Sequence, residues 1–493
     1  MRALVAALLL ITLLAGCFGK SAPATTPAVA STTTTAAGLQ GLRANDTVSG
    51  LPAGFGGGFD VVVRATGFRG AQPSIGITAK GTLFADVLVA DPVTIPGSMG
   101  YGGVIRSTDH GQSWALVDDP THNPGTFDPM LWVDQDTGRV FSHHSQVGCD
   151  WMSISDDEGA TWTPNPLACG LPFTDHQKIA TGPYAPGSPL ASAKVGAYPN
   201  LVTLCYNKVS GTFCAVSVDG GVHFGADALV DANAANPAVA TDRSCGGING
   251  HQKTAADGTI YVPYGYNCGV AFVGVSTDSG LTWTPRRLGL PEMEADPSIA
   301  ITPDGTAYYL FRSDDQRMYL LRSHDRFVTH EGPFLVSPPD VNGTVLDAIV
   351  AGSDGRVAFA FLGHKGDLAR PGAVRAPDHT GERTRWQLYV GMSLDAAAKD
   401  PFFLVRQATP ELDPVQVGCI SVERTCPQEN LMFFMDGQRD TEGRAWFAFT
   451  DGCTSVACRS PNSTGANSRD QMVTVAHVEG PSLLADKGRL GPV

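Results

Sequence analysis

The sequence predicts an all-β fold of seven repeated units, and three observations carry that prediction. An octet recurs along the chain as STDHGQSW at Ser107–Trp114, SDDEGATW at Ser155–Trp162 and STDSGLTW at Ser276–Trp283. A fourth copy, SVDGGVHF at Ser217–Phe224, ends in Phe instead of Trp. A second repeat joins a polar residue, a short apolar run, a turn that usually carries Gly, and another apolar run. Helical periodicity is scarce throughout, whereas runs such as Thr306–Phe311 and Val357–Phe361 read as strands. Six units with one decorative sheet remain the alternative.

Taken from the N-terminus, residues 1–17 read as a secretory leader. Arg2 supplies the positive start, Ala3–Leu14 the apolar core, and Leu14-Ala15-Gly16-Cys17 follows. The last four resemble in pattern the lipobox of bacterial-type lipoproteins, which implies a lipid on Cys17 and a protein anchored at the outer face of a membrane by that lipid alone. An ordinary secretory leader that happens to contain a Cys is the competing explanation. Residues 18–52 are rich in Ala, Thr, Ser and Pro and bury too little to offset chain entropy, so a flexible tether is expected. Residues 53–480 form the repeated body and 481–493 a C-terminal tail. A net charge of −14 argues against nucleic acid as a partner, and a monomer is expected.

Of the 11 cysteines, those after Cys17 fall into neighbouring couples, as suits an oxidising compartment. The expected bridges are Cys149–Cys169, Cys205–Cys214, Cys245–Cys268, Cys419–Cys426 and Cys453–Cys458. Exchange of partners among the last two couples stays open. Zinc is the weaker option there, because neither couple has CxxC spacing.

Each octet follows an apolar run and precedes a polar strand start, so it occupies a turn between strands. In such a turn the Asp (Asp109, Asp157, Asp219, Asp278) accepts hydrogen bonds from nearby backbone N–H groups, and the Gly takes a positive φ. The Trp covers the base of the hairpin. These octets resemble Asp-boxes, or bacterial neuraminidase repeats, of sialidases and related β-propellers. The resemblance implies a β-propeller whose boxes join the third and fourth strands of each blade, away from the active face. Box starts lie about 50–60 residues apart against the ~40–50 of typical blades, which leaves room for loop insertions. Degenerate copies follow at Ser323-His324-Asp325 and Ser393-Leu394-Asp395.

The inner strands of seven blades begin near Gln72, Asp128, His176, His251, Asp296, Asp347 and Asp436. The seventh unit has no box, and Phe59–Ala65 is expected to supply its fourth strand against residues 471–478, closing the ring. Around the axis the leading residues gather acids and bases, with Lys178, Lys253 and Arg439 close behind and His-Gln-Lys occurring twice. Clustered carboxylates pair with cations, hold protons, bind a ligand or hold a divalent cation. Asp296, Asp347, Asp436, His176 and His251 are the catalytic candidates, and Gln72, Asp128, Lys178, Lys253 and Arg439 the ligand-binding ones. An internally paired channel lining accounts for the same residues equally well.

A wider resemblance, over residues from about 59 to 478, is to secreted BNR-repeat proteins of sialidase type; Gly250–Lys253, Gly355–Phe359 and Asp451–Cys453 carry it. It implies a glycan or cell-envelope polymer as partner and, for an enzyme, a glycoside hydrolase. True sialidases carry a Phe/Tyr-Arg-Ile-Pro motif, and here Gly70-Ala71-Gln72-Pro73 puts Ala71 at the arginine position. Arg69, Arg243, Arg312 and Arg439 are the substitutes available, and Tyr264, Tyr266, Glu292 and Glu294 are available by position for a nucleophile pair. Three functions follow as expectations. The first is glycan recognition with or without exo-glycosidase action, using Trp132, Tyr264, Tyr266 and Trp386. The second is a non-catalytic scaffold or assembly factor with a broad apolar or charged patch. The third is a metal-assisted hydrolase or lyase walled by insertions at 183–200 and 363–385.

Overall fold

The computed structural model describes residues 51–52, 54–89, 101–117, 126–146, 149–169, 174–208, 211–231, 248–265, 269–291, 296–365, 383–420, 431 and 435–493. The leader, Cys17 and all but the last two residues of the expected tether lie outside them.

Seven antiparallel sheets form the ring. Blades one to six span 71–117, 126–169, 175–229, 253–287, 298–335 and 343–407, each in simple meander order. Blade seven takes Asp436–Arg439, Ala445–Asp451 and Met472–Pro481 from the C-terminal region and its outermost strand, Asp60–Arg69, from the N-terminal one. Inner strands touch in chain order around the ring, and the first, Ala71–Ile77, touches the seventh. The expected closure is therefore present: Asp60 pairs with Glu479 and Ala65 with Thr474. Six blades with a decorative sheet are excluded.

The strands differ from the expected alternation in one respect, and packing explains it. Every residue of Val357–His364 is buried, because a blade is covered on both faces by its neighbours. Ala358 and Ala360 face the cluster containing Phe447 and Phe449 of blade seven. Phe359 and Phe361 face Tyr308 and Leu310 of blade five. Small residues on one face and large ones on the other set the wedge between blades, and each Phe so buried is worth ~2–3 kcal/mol of transfer energy. The core is thus a series of inter-blade layers, with no single centre.

The octets are the turns that fasten these layers. In the first, Ser107 Oγ donates to Asp109 Oδ1 at 2.8 Å and accepts from Gly111 N at 2.9 Å. Asp109 also accepts from Ser113 N at 2.9 Å and Ser113 Oγ at 2.5 Å. These bonds hold its carboxyl well below the usual range, at about 2. The same geometry recurs at Asp157, Asp219 and Asp278. It also survives at the degenerate Asp325, whereas Asp395 keeps the bond from Ser393 Oγ but accepts its backbone N–H from Phe402, seven residues on. The fourth and fifth box residues are left-handed, as with His110 and Gly111 at φ 57° and 75°. In the Ser323 copy Phe327 accepts φ 57° in place of the Gly, and its N–H still reaches Ser323 Oγ at 2.8 Å.

Two bridges are described as bonded, Cys205–Cys214 across a hairpin and Cys453–Cys458. The second settles the partner exchange for that couple. Cys149 and Cys169 stand opposite each other in backbone register. Cys419 is disulfide-bonded; Cys426, Cys245 and Cys268 lie outside the described residues. Residues 481–493 fold back on the start of the body: Arg489 donates to the carbonyls of Phe55 and Gly58, and Arg64 donates to Val493 O at 3.0 Å.

Candidate functional site

Strand alternation sends every second inner-strand residue toward the axis. His251 and Lys253 of blade four face inward, whereas the Gln252 between them reaches back to bond the carbonyls of Lys178 and Thr203 at 2.7 and 3.0 Å. Gln252 is thus a staple between blades, whereas the Gln177 of the other triplet bonds Thr174 Oγ1 on its own segment at 3.3 Å. Gly250 precedes His251 because a Cβ there would lie 1.8 Å from the Pro297 carbonyl oxygen, next to Asp296.

Two buried histidine–carboxylate pairs cross the channel. His176 Nδ1 lies 3.2 Å from Asp296 Oδ1, joining blades three and five. His251 Nδ1 lies 3.2 Å from Asp436 Oδ1, joining blades four and seven, and His251 Nε2 donates to Ile179 O at 2.7 Å. That carbonyl can only accept, so Nε2 carries a hydrogen. The Nδ1–Oδ1 contact then needs a proton of its own, on the ring or on the carboxyl. Burial lowers the His251 pKa and Lys253 adds to this, while Asp436 opposes both. Burial works to raise Asp436, but His251, Lys253 and the Ile75 N–H together hold it low.

Lys178, His251, Lys253, Asp296, Ser298 and Asp436 line a cavity of about 20 Å³ beside these pairs. Roughly 10–15 Å³ is enough for one water, so the axial cluster admits a water and no sugar ring. Asp347 is buried next to Ala348, which lines the cavity, but its own side chain does not. Gln72 and His176 occupy left-handed positions at φ 53° and 51°, where their strands break register against the second strand. Leu346, not Asp347, holds the matching position in blade six at φ 54°. Gln72 is buried there, away from the cavity. The Asp128 side chain lies outside the described residues.

A larger cavity of about 240 Å³ opens where the inner strands end, on the side of the Asp-box turns. Trp132, Asp134, Gln135, Asp136, Thr181, Lys253 and Arg439 line it, and Lys253, Ile349 and Gly437 line both cavities. Trp132 is held by a bond from Nε1 to Thr181 Oγ1 at 2.8 Å. Lys253 Nζ sits 4.9 Å from its ring centroid, and His251 meets the ring edge-on. Burial draws the Lys253 pKa down to about 8.

The 183–200 insertion lies at this same end. It connects the first two strands of blade three, and its Tyr198 hydroxyl and Asn200 amide bond Asp134. Composition gave no hint of Asp134, Gln135, Tyr198 and Asn200. The length of the insertion was the available signal.

Several expectations change. Tyr264 and Trp386 are core residues, 1% and 0% exposed; Tyr264 stacks on Phe272 and Trp386 Nε1 bonds Gly418 O. They offer no glycan platform, because each fills an inter-blade layer. Arg69 cannot replace the missing arginine: it is 66% exposed beside Asp470 on the outermost strand of blade seven. Arg312 is buried at the end of blade five's second strand, and Arg439 lies at the Asp-box end, so these three do not converge. Arg243, Tyr266, Glu292 and Glu294 lie outside the described residues, as do 366–382 of the second insertion. Among the described residues no three His, Cys, Asp or Glu side chains group as metal ligands. Exposed large apolar residues sit singly, as Val222, Leu281 and Val328 at the sixth position of successive boxes.

No protein-family model and no curated protein sequence matches the chain. Among solved structures it is distantly similar to propellers of sialidase type. The intramolecular trans-sialidase from Ruminococcus gnavus aligns at 14% identity and TM-score 0.43, over 87% of this chain and 96% of that one. A leech intramolecular trans-sialidase aligns at 14% identity and TM-score 0.41, over 84% and 68%. The Aleuria aurantia lectin aligns at 10% identity and TM-score 0.39, over 70% and 99%.

Proposed function

We propose that the protein is a surface-displayed glycan-recognition module that takes its ligand at the Asp-box end of the channel. The axial His176–Asp296 and His251–Asp436 pairs then act as pins between blades. One contrast carries this reading: the acid–base cluster encloses about 20 Å³, whereas the cavity beside Trp132 encloses about 240 Å³. A ligand site is concave and roomy, with a few fixed polar groups around an apolar or aromatic wall, and of these two cavities the second has that form. The extracellular address rests on the leader and Cys17, and fits the disulfides Cys205–Cys214 and Cys453–Cys458.

A glycan array probed with the mature protein tests this reading. Binding to a defined subset, reduced at least about tenfold by Trp132→Ala and without release of sugar, is expected. An array with no glycan bound, or binding indifferent to Trp132→Ala, overturns it.

A further inference from the structure

Two cations that line the larger cavity, Lys253 and Arg439, have no carboxylate within ion-pair distance among the described residues. Lys253 contacts the Trp132 ring. Its neighbour Asp436 is already engaged by His251 Nδ1 and by Ile75 N, each at 3.2 Å. Arg439 makes one long bond from Nη1 to the Asp440 carbonyl, at 3.3 Å. The Asp440 carboxylate itself is committed elsewhere. It accepts from Arg444 N at 2.9 Å and Trp446 Nε1 at 3.2 Å and faces Arg444 Nε at 3.7 Å.

The acids of the cavity wall are committed too. Asp134 accepts from Tyr198 and from Asn200 and Thr137, both at 3.0 Å, and Asp136 accepts from Asn200 at 3.3 Å. Gln135 Nε2 donates to the carbonyls of Ile77 and Arg439, at 3.1 and 2.7 Å, and so fixes the backbone that carries Arg439.

We propose that this cavity is an anion site that receives an oxyanion-bearing residue of sugar size, held by Arg439 and Lys253 against the edge of Trp132. The proposal rests on the ligand site inferred above and names its chemistry. A half-buried cation without a counter-charge is unfavourable, and an oxyanion in this cavity supplies one. Arg presents a fork that matches carboxylate or phosphoryl oxygens, and Lys adds a point charge. The chain as a whole carries −14, so a small anion is drawn to this spot and not to the surface at large. At about 240 Å³ the cavity falls just below the ~300–1,000 Å³ of sites for drug-sized ligands, which suits a single sugar acid.

The test titrates the mature protein with glucuronate, inorganic phosphate and glucose by calorimetry. Glucuronate or phosphate should bind at least about tenfold more tightly than glucose, and the stronger of the two identifies the oxyanion. Arg439→Gln and Lys253→Met should each remove about tenfold or more of that preference.

Wild-type protein gives a second readout that survives any folding defect in the variants. Burial brings Lys253 to about 8, Lys178 of blade three lowers it further and Asp436 of blade seven raises it, with His251 adjacent on its own segment. Anion affinity should therefore fall as pH rises through about 8. Equal binding of the three probes, affinity untouched by Arg439→Gln, or a flat profile between pH 6 and 9 would overturn the proposal. Neutral glycans bound through Trp132 with no preference for acids would remove the anion site and leave glycan recognition standing.

Discussion

His251→Ala should be among the most destabilising single substitutions in the channel. It leaves the buried Asp436 carboxylate with the Ile75 N–H, 3.2 Å from Oδ2, as its hydrogen-bond donor among the described residues. It also strands the Ile179 carbonyl, which now accepts from Nε2 at 2.7 Å. Removing one member of a buried charged pair costs ~3–5 kcal/mol, because the partner stays behind without compensation. Asp436→Asn is a different perturbation at the same contact. The amide can donate Nδ2–H to the Nδ1 lone pair and accept from Ile75 with its oxygen, while Nε2–H keeps its bond to Ile179. No shared proton is then needed, and the cost should stay within ~1 kcal/mol. Urea unfolding followed by tryptophan fluorescence measures both, with far-UV circular dichroism checking that the transitions coincide. The pin reasoning is refuted if His251→Ala costs less than ~1 kcal/mol, or if the two substitutions cost the same.

Two further outcomes are expected. Burial, with Asp413 and Asp470 adding to it, pushes the Asp451 carboxyl up to about 7, so its folded-state value lies above the unfolded one. Its contribution to stability is complete below the ordinary carboxylate range and is lost as pH rises through about 7. Asp451→Asn should therefore match the parent at pH 4 and exceed it at pH 8; a constant difference across that range defeats the assignment. Peptide mapping of unreduced protein should recover Cys205–Cys214, Cys453–Cys458 and, from the strand register, Cys149–Cys169. A fragment linking Cys149 or Cys169 to the C-terminal cysteines would contradict that register.

The ring was legible because its signals are local. The Ser and Asp bonds that define an Asp-box close within a few residues, so four copies announce four blades wherever the rest of the chain goes. The copy at Ser323 is nearly invisible, since Phe327 takes the left-handed fifth position given to Gly in the four octets and the closing aromatic is missing. Its Ser323–Asp325–Thr329 bonding nevertheless persists.

The site was less legible because its members meet across blades. That Leu346 and not Asp347 sits at the bulge of blade six depends on a register break no composition shows. Whether Trp386 lines a groove or fills a layer depends on what packs over it, and it fills a layer. The strand heads drew attention to one end of the channel, whereas the roomier cavity lies at the other. The 183–200 insertion marks that other end, because it lies between the first two strands of its blade.

The way the ring is closed has a mechanical consequence. Thr66 Oγ1 bonds Val473 O, 407 positions away along the chain, within a strand pair that runs from Asp60/Glu479 to Arg69/Met472. A pull on the segment before Asp60, directed along that strand, loads its cross-strand bonds side by side in shear, so many must yield together. A pull across the sheet would instead unzip them one at a time. Arg489, gripping the carbonyls of Phe55 and Gly58, braces the end where such peeling would start. The strand pair that closes the ring is therefore a seam suited to tension along the strand, and the weak direction of that seam is the one the C-terminal residues guard.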